Sequence, residues 1–289
     1  MDWFWFALIS AIFISVETIL EKKVLKREHA LQFSAIISIS MVVVSLIFLP
    51  YLNFDNLSPS ILLLVYFASW LSAFSFLLVS KAIRHMEVST VTPFLSFGPI
   101  FTLIFSLLFL KEHINNLQIT GMMMVILGAY VLQSKKTDYL APVKEIIKSR
   151  YIHYIFIALI LNGFGAMIDR YILKNNFLDP LSYLFLITLF LAINYNILIS
   201  VLYKGIKDIN KGFKANGLII LIIAVTLLLS RIFLLEAFSL APAFLVEPVK
   251  RISVIFVIVF GGAILHEKYL FKKFIASLLI LGGIYLITI

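Results

Sequence analysis

Few residues in this chain could do chemistry, and most of them are charges set inside long apolar stretches. Lys250 and Arg251 stand side by side just after Pro248, with Glu247 three and four residues before them; Arg231 and Glu236 lie in the preceding apolar stretch and Glu17 in the first. An ionised side chain near the centre of a bilayer costs from about 2.5 kcal/mol upward, so such groups face a protein interior and pair with each other or bind something. Two adjacent cations beside backbone freed by a proline suit a carboxylate or phosphate, and arginine can hold either bidentately. Glu247 shares a helical face with both cations, so mutual neutralisation is an equally physical reading of the same three residues. Arg231 and Glu236 are about 140° apart around a helix and cannot pair with each other. Each needs a partner elsewhere: a cavity for Arg231, or a buried pair with Glu17. A carboxylate at Glu17 could instead carry a proton, and Glu17 and Glu236 are the candidates for coupling or charge balance.

Other chemistries lack their residues. There is no cysteine, which removes disulfides, thiolate metal sites and thiol nucleophiles. The sequence contains no zincin motif, no nucleophile elbow and no P-loop, and its five histidines lie near the ends of apolar stretches without helical ligand spacing. No cofactor and no metal are expected, and enzymatic activity is a minor alternative, as is a non-transporting membrane scaffold or receptor.

The elements that must position these charges follow from composition. Of 289 residues 62% are apolar and 13% charged, which fits a bilayer and not a soluble domain. The net charge of +9 falls in the connections between apolar stretches, the pattern of cytoplasmic loops, so nucleic acid is not an expected partner. Apolar runs bounded by charge place spans at 3–21, 31–51, 60–80, 88–110, 115–133, 152–173, 181–203, 217–240, 243–265 and 271–289. Pro93 and Pro99 in the fourth and Pro248 in the ninth should break their helices and free carbonyls toward a cavity. Asp169, Arg170, Glu112 and Glu267 read as span-end residues, Asp169 and Arg170 snorkelling to the interface. Asn162, Asn194 and Asn196 are expected in interhelical hydrogen bonds, the glycines of spans five and ten in close packing, and Trp3 and Trp5 at the interface.

The chain is expected to be duplicated. Shifted by 155 residues, Ala82, Pro93, Glu112, Gly128 and Tyr130 meet Ala237, Pro248, Glu267, Gly283 and Tyr285; shifted by 148, Glu21, Lys22, Leu25 and Lys26 meet Asp169, Arg170, Leu173 and Lys174. An odd number of spans per repeat inverts the second copy, and equivalent loops should then have opposite charge bias. They do: Lys22, Lys23, Lys26 and Arg27 follow span one while its partner loop has little beyond Arg170 and Lys174, and the loop after span two, which has no Lys or Arg, is matched by Lys204, Lys207, Lys211 and Lys214. The expectation is an all-α polytopic membrane protein of ten transmembrane helices in two inverted five-helix repeats, 1–134 and 151–289, joined by the loop 135–150, in the cell membrane with both termini outside.

Each repeat ends alike: Lys111-Glu112-His113 through Gly121 to Gly128-Ala129-Tyr130, then His266-Glu267-Lys268 through Ala276 to Gly282-Gly283-Ile284-Tyr285. This resembles the drug/metabolite transporter superfamily with its EamA-type repeats. Val249-Lys250-Arg251-Ile252-Ser253-Val254-Ile255 is similar to the Lys-Arg segment of triose-phosphate and nucleotide-sugar translocators, where the pair holds a substrate phosphate; their additional lysine in span four has no counterpart between Val88 and Leu110. The resemblance implies a secondary carrier working by alternating access on a small-molecule substrate, anionic or zwitterionic, with Lys250, Arg251, Arg231 and Glu247 as binding residues. Protons or a counter-substrate would complete the cycle. Proton-coupled export of cationic or hydrophobic compounds, with Glu17 binding the cation, is the alternative within transport.

Overall fold

A computed structural model describes residues 2–25, 29–86, 91, 94–133, 149–202, 206–253, 255–256 and 270–289. Among them the regular structure is helical: α1 (Asp2–Leu25), α2 (Ala30–Ser45, continued by a 3₁₀ turn Leu46–Tyr51), α3 (Pro59–His85), α4 (Gly98–Phe105, continued by a π turn Ser106–Leu110), α5 (Asn116–Gln133), α6 (Arg150–Lys174), α7 (Pro180–Leu202), α8 (Ile206–Leu240), α9 (Ala243–Lys250) and α10 (Leu270–Thr288). Six of these, α1, α2 with its 3₁₀ turn, α3, α6, α7 and the Asn216–Leu240 part of α8, are long and apolar enough to cross a membrane. Helices suit that medium because each backbone group finds its partner within the segment.

The polar residues inside these helices follow the same rule. Ser34, Ser40 and Thr188 return their hydroxyls to carbonyls four residues earlier, at 2.8–2.9 Å. Local signals set the starts: Ser58 Oγ accepts the Ile61 amide at the head of α3, with Pro59 in the first turn, and Asp179 Oδ1 accepts the Leu181 and Ser182 amides at the head of α7.

The fourth and ninth segments are broken. Ser96 and Phe97 form a turn, so Pro99 falls in the first turn of α4, where its missing N–H costs nothing. In α9, Pro248 lies inside the helix, which ends at Lys250 in a tight turn held by Arg251 N–H to Pro248 O and Ile252 N–H to Val249 O, each 3.0 Å. Pro93 and Glu267 lie outside the described residues.

The two halves of the sequence are interleaved, α1 packing on α8, α3 on α6, α2 on α7 and α5 on α10. Ser75 Oγ of α3 donates to Ala158 O of α6 at 2.9 Å, and the His85 ring at the end of α3 stacks on Tyr151 at the start of α6, 4.8 Å between centroids. The last turn of α3 and the last turn of α6 are therefore at opposite ends of the bundle. The glycines of α5 and α10 make a close crossing, as expected: a Cβ on Gly121 would strike Gly283 O, and one on Gly283 would strike Gly121 O. Replacing Gly121 or Gly283 by valine should lower the melting temperature of the purified protein through overpacking worth about 1–3 kcal/mol. Gly282→Ala, which among the described residues meets only the movable Met124 Cε, should stay within a degree or two of the parent.

Candidate functional site

Five ionisable side chains from three helices converge where α4, α6, α8 and α9 meet. Asp169 of α6 is buried, 3% exposed; its Oδ1 accepts the hydroxyl of the fully buried Tyr183 of α7, and its Oδ2 lies 3.9 Å from Arg231 Nη1 of α8. Glu247 of α9 is buried between its neighbours, taking Lys250 Nζ on Oε1 and Arg251 Nη2 on Oε2 at 3.7 Å. Arg231 is within electrostatic reach of Glu247 and Lys250, and Glu247 and Lys250 of Asp169, so the two groups form one field. Three cations face two carboxylates, a formal sum of 3 − 2 = +1 for these residues. The surplus is reachable at Arg231, whose side chain is 26% exposed against 5–15% for the other four.

Local sequence explains why the cations sit there. Ending α9 two residues after Pro248 directs Arg251 out of a regular helix and against α4. Gly98 makes the room: a Cβ there would lie 2.6 Å from Arg251 Nη2. Arg251 Nε is buried with no hydrogen-bond partner among the described residues, a donor open to an acceptor.

A second polar group occupies α1. Glu17 and Glu21, one turn apart and 6% and 4% exposed, meet side chain to side chain; Thr18 Oγ1 donates to Glu17 Oε2 at 3.3 Å and Ser80 Oγ of α3 donates to Glu21 Oε1 at 2.9 Å. Lys22 Nζ donates to Ile83 O and Met86 O in the last turn of α3 at 2.6 and 3.1 Å.

The structure corrects several expectations. Arg231 pairs with Asp169 and not with Glu17. Asp169 and Arg170 do not snorkel: both are buried, because Arg170 donates to Glu112 Oε1 at 3.2 Å and to Phe238 O and Ser239 O at 2.7 and 3.0 Å, trading water for protein acceptors. Glu236 makes no salt bridge among the described residues, and the charge that acts on it is another carboxylate, Asp179. Asn194 Nδ2 does bond across helices, to Ser69 Oγ at 2.9 Å, but Asn196 returns to Ala192 O of its own helix. Sequence reasoning gave Asp169 and Glu21 no place in a site and did not name Tyr183. The first two carried a signal, since they coincide when the chain is shifted by 148 residues.

The model of the EamA-like transporter family matches residues 1–133 and again 149–289. The chain belongs to the EamA-like transporter family. It is thus a multi-pass membrane protein of a transporter family rather than an enzyme. A solved crystal structure is similar at a TM-score of 0.70 and 11% identity, over 98% of this chain and 97% of the other, which speaks to fold alone. The uncharacterized protein MJ1333.1 of Methanocaldococcus jannaschii is 29% identical over 125 residues, 91% of its own length and 43% of this chain.

Glu247→Gln would leave Lys250 and Arg251 as adjacent, largely buried cations. It should destabilise the protein by about 3–5 kcal/mol, and Lys250→Gln added to it should recover part of the loss. Thermal unfolding of the single and double variants in detergent measures both.

Proposed function

We propose that this EamA-family chain is a secondary carrier that moves a small anionic or zwitterionic metabolite by alternating access. Ten spans in two inverted repeats, 1–134 and 151–289 joined by 135–150, would rock about the charge cluster, in a cell membrane with both termini outside. The charge bias of the loops, the repeat of Glu112 and Glu267, and a relative about one repeat long support that topology.

One observation carries the substrate reading. The cluster of Asp169, Arg231, Glu247, Lys250 and Arg251 holds one more cation than carboxylates, with an unused donor on Arg251. A carboxylate or phosphate arriving there would neutralise the surplus and take up the donor, while a cation would add to it. A zwitterion could set its ammonium against Asp169 or Glu247. The opposite reading, export of cations coupled to protons, has its own observation: Glu17 and Glu21 form a buried carboxyl pair that a proton or a cation would complete.

Thermal stabilisation separates the two, because a ligand bound only by the folded state raises the melting temperature by mass action. Against phosphorylated metabolites, amino acids, nucleotide sugars and lipophilic cations, an anion or zwitterion should stabilise the parent. Its apparent affinity should fall about tenfold or more in Arg231→Gln and Arg251→Gln, the cost of one charge-assisted hydrogen bond. Stabilisation by cations only, lost in Glu17→Gln, would reverse the assignment.

A further inference from the structure

The ion pair beside the cluster joins the two halves of the chain at one end of the bundle. Glu112 follows α4, and Arg170 belongs to the last turns of α6; both are buried, at 8% and 7% exposure. Arg170 Nε reaches Glu112 Oε1 at 3.2 Å while its Nη1 donates to Phe238 O and Ser239 O in the last turn of α8. One guanidinium therefore ties the ends of α4, α6 and α8 together. Lys174, one turn further along α6, adds a second, more exposed cation at 3.7 Å from the same carboxylate oxygen.

The pair is held but not saturated. Glu112 Oε2 is buried without a hydrogen-bond partner among the described residues, and the residue that delivers Glu112 inward, Lys111, sits in the left-handed region at φ 51° after the π turn. The carbonyl contacts repeat on the other side. The shift of 148 carries Lys22 onto Arg170, and the shift of 155 carries Ile83 onto Phe238. Lys22 binds Ile83 O as Arg170 binds Phe238 O, while the second carbonyl differs, Met86 O in one and Ser239 O in the other, and the end of α3 lies beside the start of α6. Each end of the bundle thus has a cation from the first helix of a repeat seated on the last turn of the third. Arg170 adjoins Asp169, which faces Arg231 in the charge cluster.

Resting on the alternating-access reading, we propose that Glu112, Arg170 and Lys174 form a latch that keeps the cluster closed from the side on which α4, α6 and α8 end, and that separating Glu112 from Arg170 opens that side. Movement of Asp169 toward or away from Arg231 would be passed to the latch through the single peptide between Asp169 and Arg170.

Because the chain has no cysteine, one introduced thiol reports access unambiguously. Gly165 is suited: it is one turn before Asp169 on the same face of α6, and among the described residues a Cβ there meets only Ser72 Oγ at 4.0 Å. The experiment measures the labelling rate of Gly165→Cys by a membrane-impermeant maleimide in intact cells and in inverted vesicles. Glu112→Gln should raise labelling from the side where α4 ends by about fivefold or more and leave the other side unchanged, as expected for a population shift toward one open state. Glu112→Asp, which keeps the charge, should stay closer to the parent. Should Glu112→Gln fail to fold, Arg170→Lys, which loses the forked contact to Glu112 and Phe238 O, should give the same one-sided rise. Labelling equal to the parent, or rising equally from both sides as general loosening would produce, overturns the latch. The thiol reads access and not flux, so a one-sided rise in a protein that transports none of the metabolites would count against the anionic or zwitterionic substrate and leave the latch standing.

Discussion

A charge carried into an apolar bundle must meet its opposite or a hydrogen-bonding partner there, and this requirement organises the molecule. Asp169 is tolerable because Tyr183 donates to it from α7 and Arg231 approaches it from α8. Glu247 is tolerable because it sits between Lys250 and Arg251. Arg170 needs a carboxylate from after α4 and two carbonyls from α8. The partners of Asp169 and Arg170 come from other helices, so those contacts also fix how the helices meet.

The scaffold is near-symmetric and the site is not. Under the shift of 155 residues, Lys250 falls on Leu95, Arg251 on Ser96, Glu247 on Thr92 and Arg231 on Phe76; under the shift of 148, Gly165 falls on Glu17. The second repeat thus supplies the cation-rich cluster and the first supplies the carboxyl pair of α1, while the cations that seat on helix ends, Lys22 and Arg170, are common to both. Duplication accounts for the frame, and departures from it account for the chemistry. Gly98 joins the two: a missing side chain in the first repeat accommodates an arginine of the second.

Apolar run lengths and charge clusters made the helical fold legible, because a bilayer demands both. Gly121 and Gly283 were legible as packing residues, since small side chains in apolar helices have few other uses. The candidate site was legible in part. Lys250, Arg251 and Glu247 betray themselves by spacing on one helix, and spacing is what a sequence records. The partnership of Arg231 with Asp169 was not legible, because it joins helices about sixty residues apart at an azimuth that only packing sets. Proximity to a span end made Asp169 and Arg170 look interfacial. The partners that let them stay buried, the Tyr183 hydroxyl that donates to Asp169 and the Phe238 and Ser239 carbonyls that accept from Arg170, are a neutral side chain and two backbone groups, which carry no charge signal.

The central claim is that the surplus cation of this cluster is the place a substrate anion occupies. Electron cryo-microscopy of the protein bound to the anion or zwitterion that stabilises it most tests this directly. The account predicts the anionic group between Arg231 and Arg251, about 2.7–2.9 Å from their guanidinium nitrogens, as charge-assisted hydrogen bonds require. A ligand lodged instead beside Glu17 and Glu21, with Glu247 still closed on Lys250 and Arg251, would contradict it.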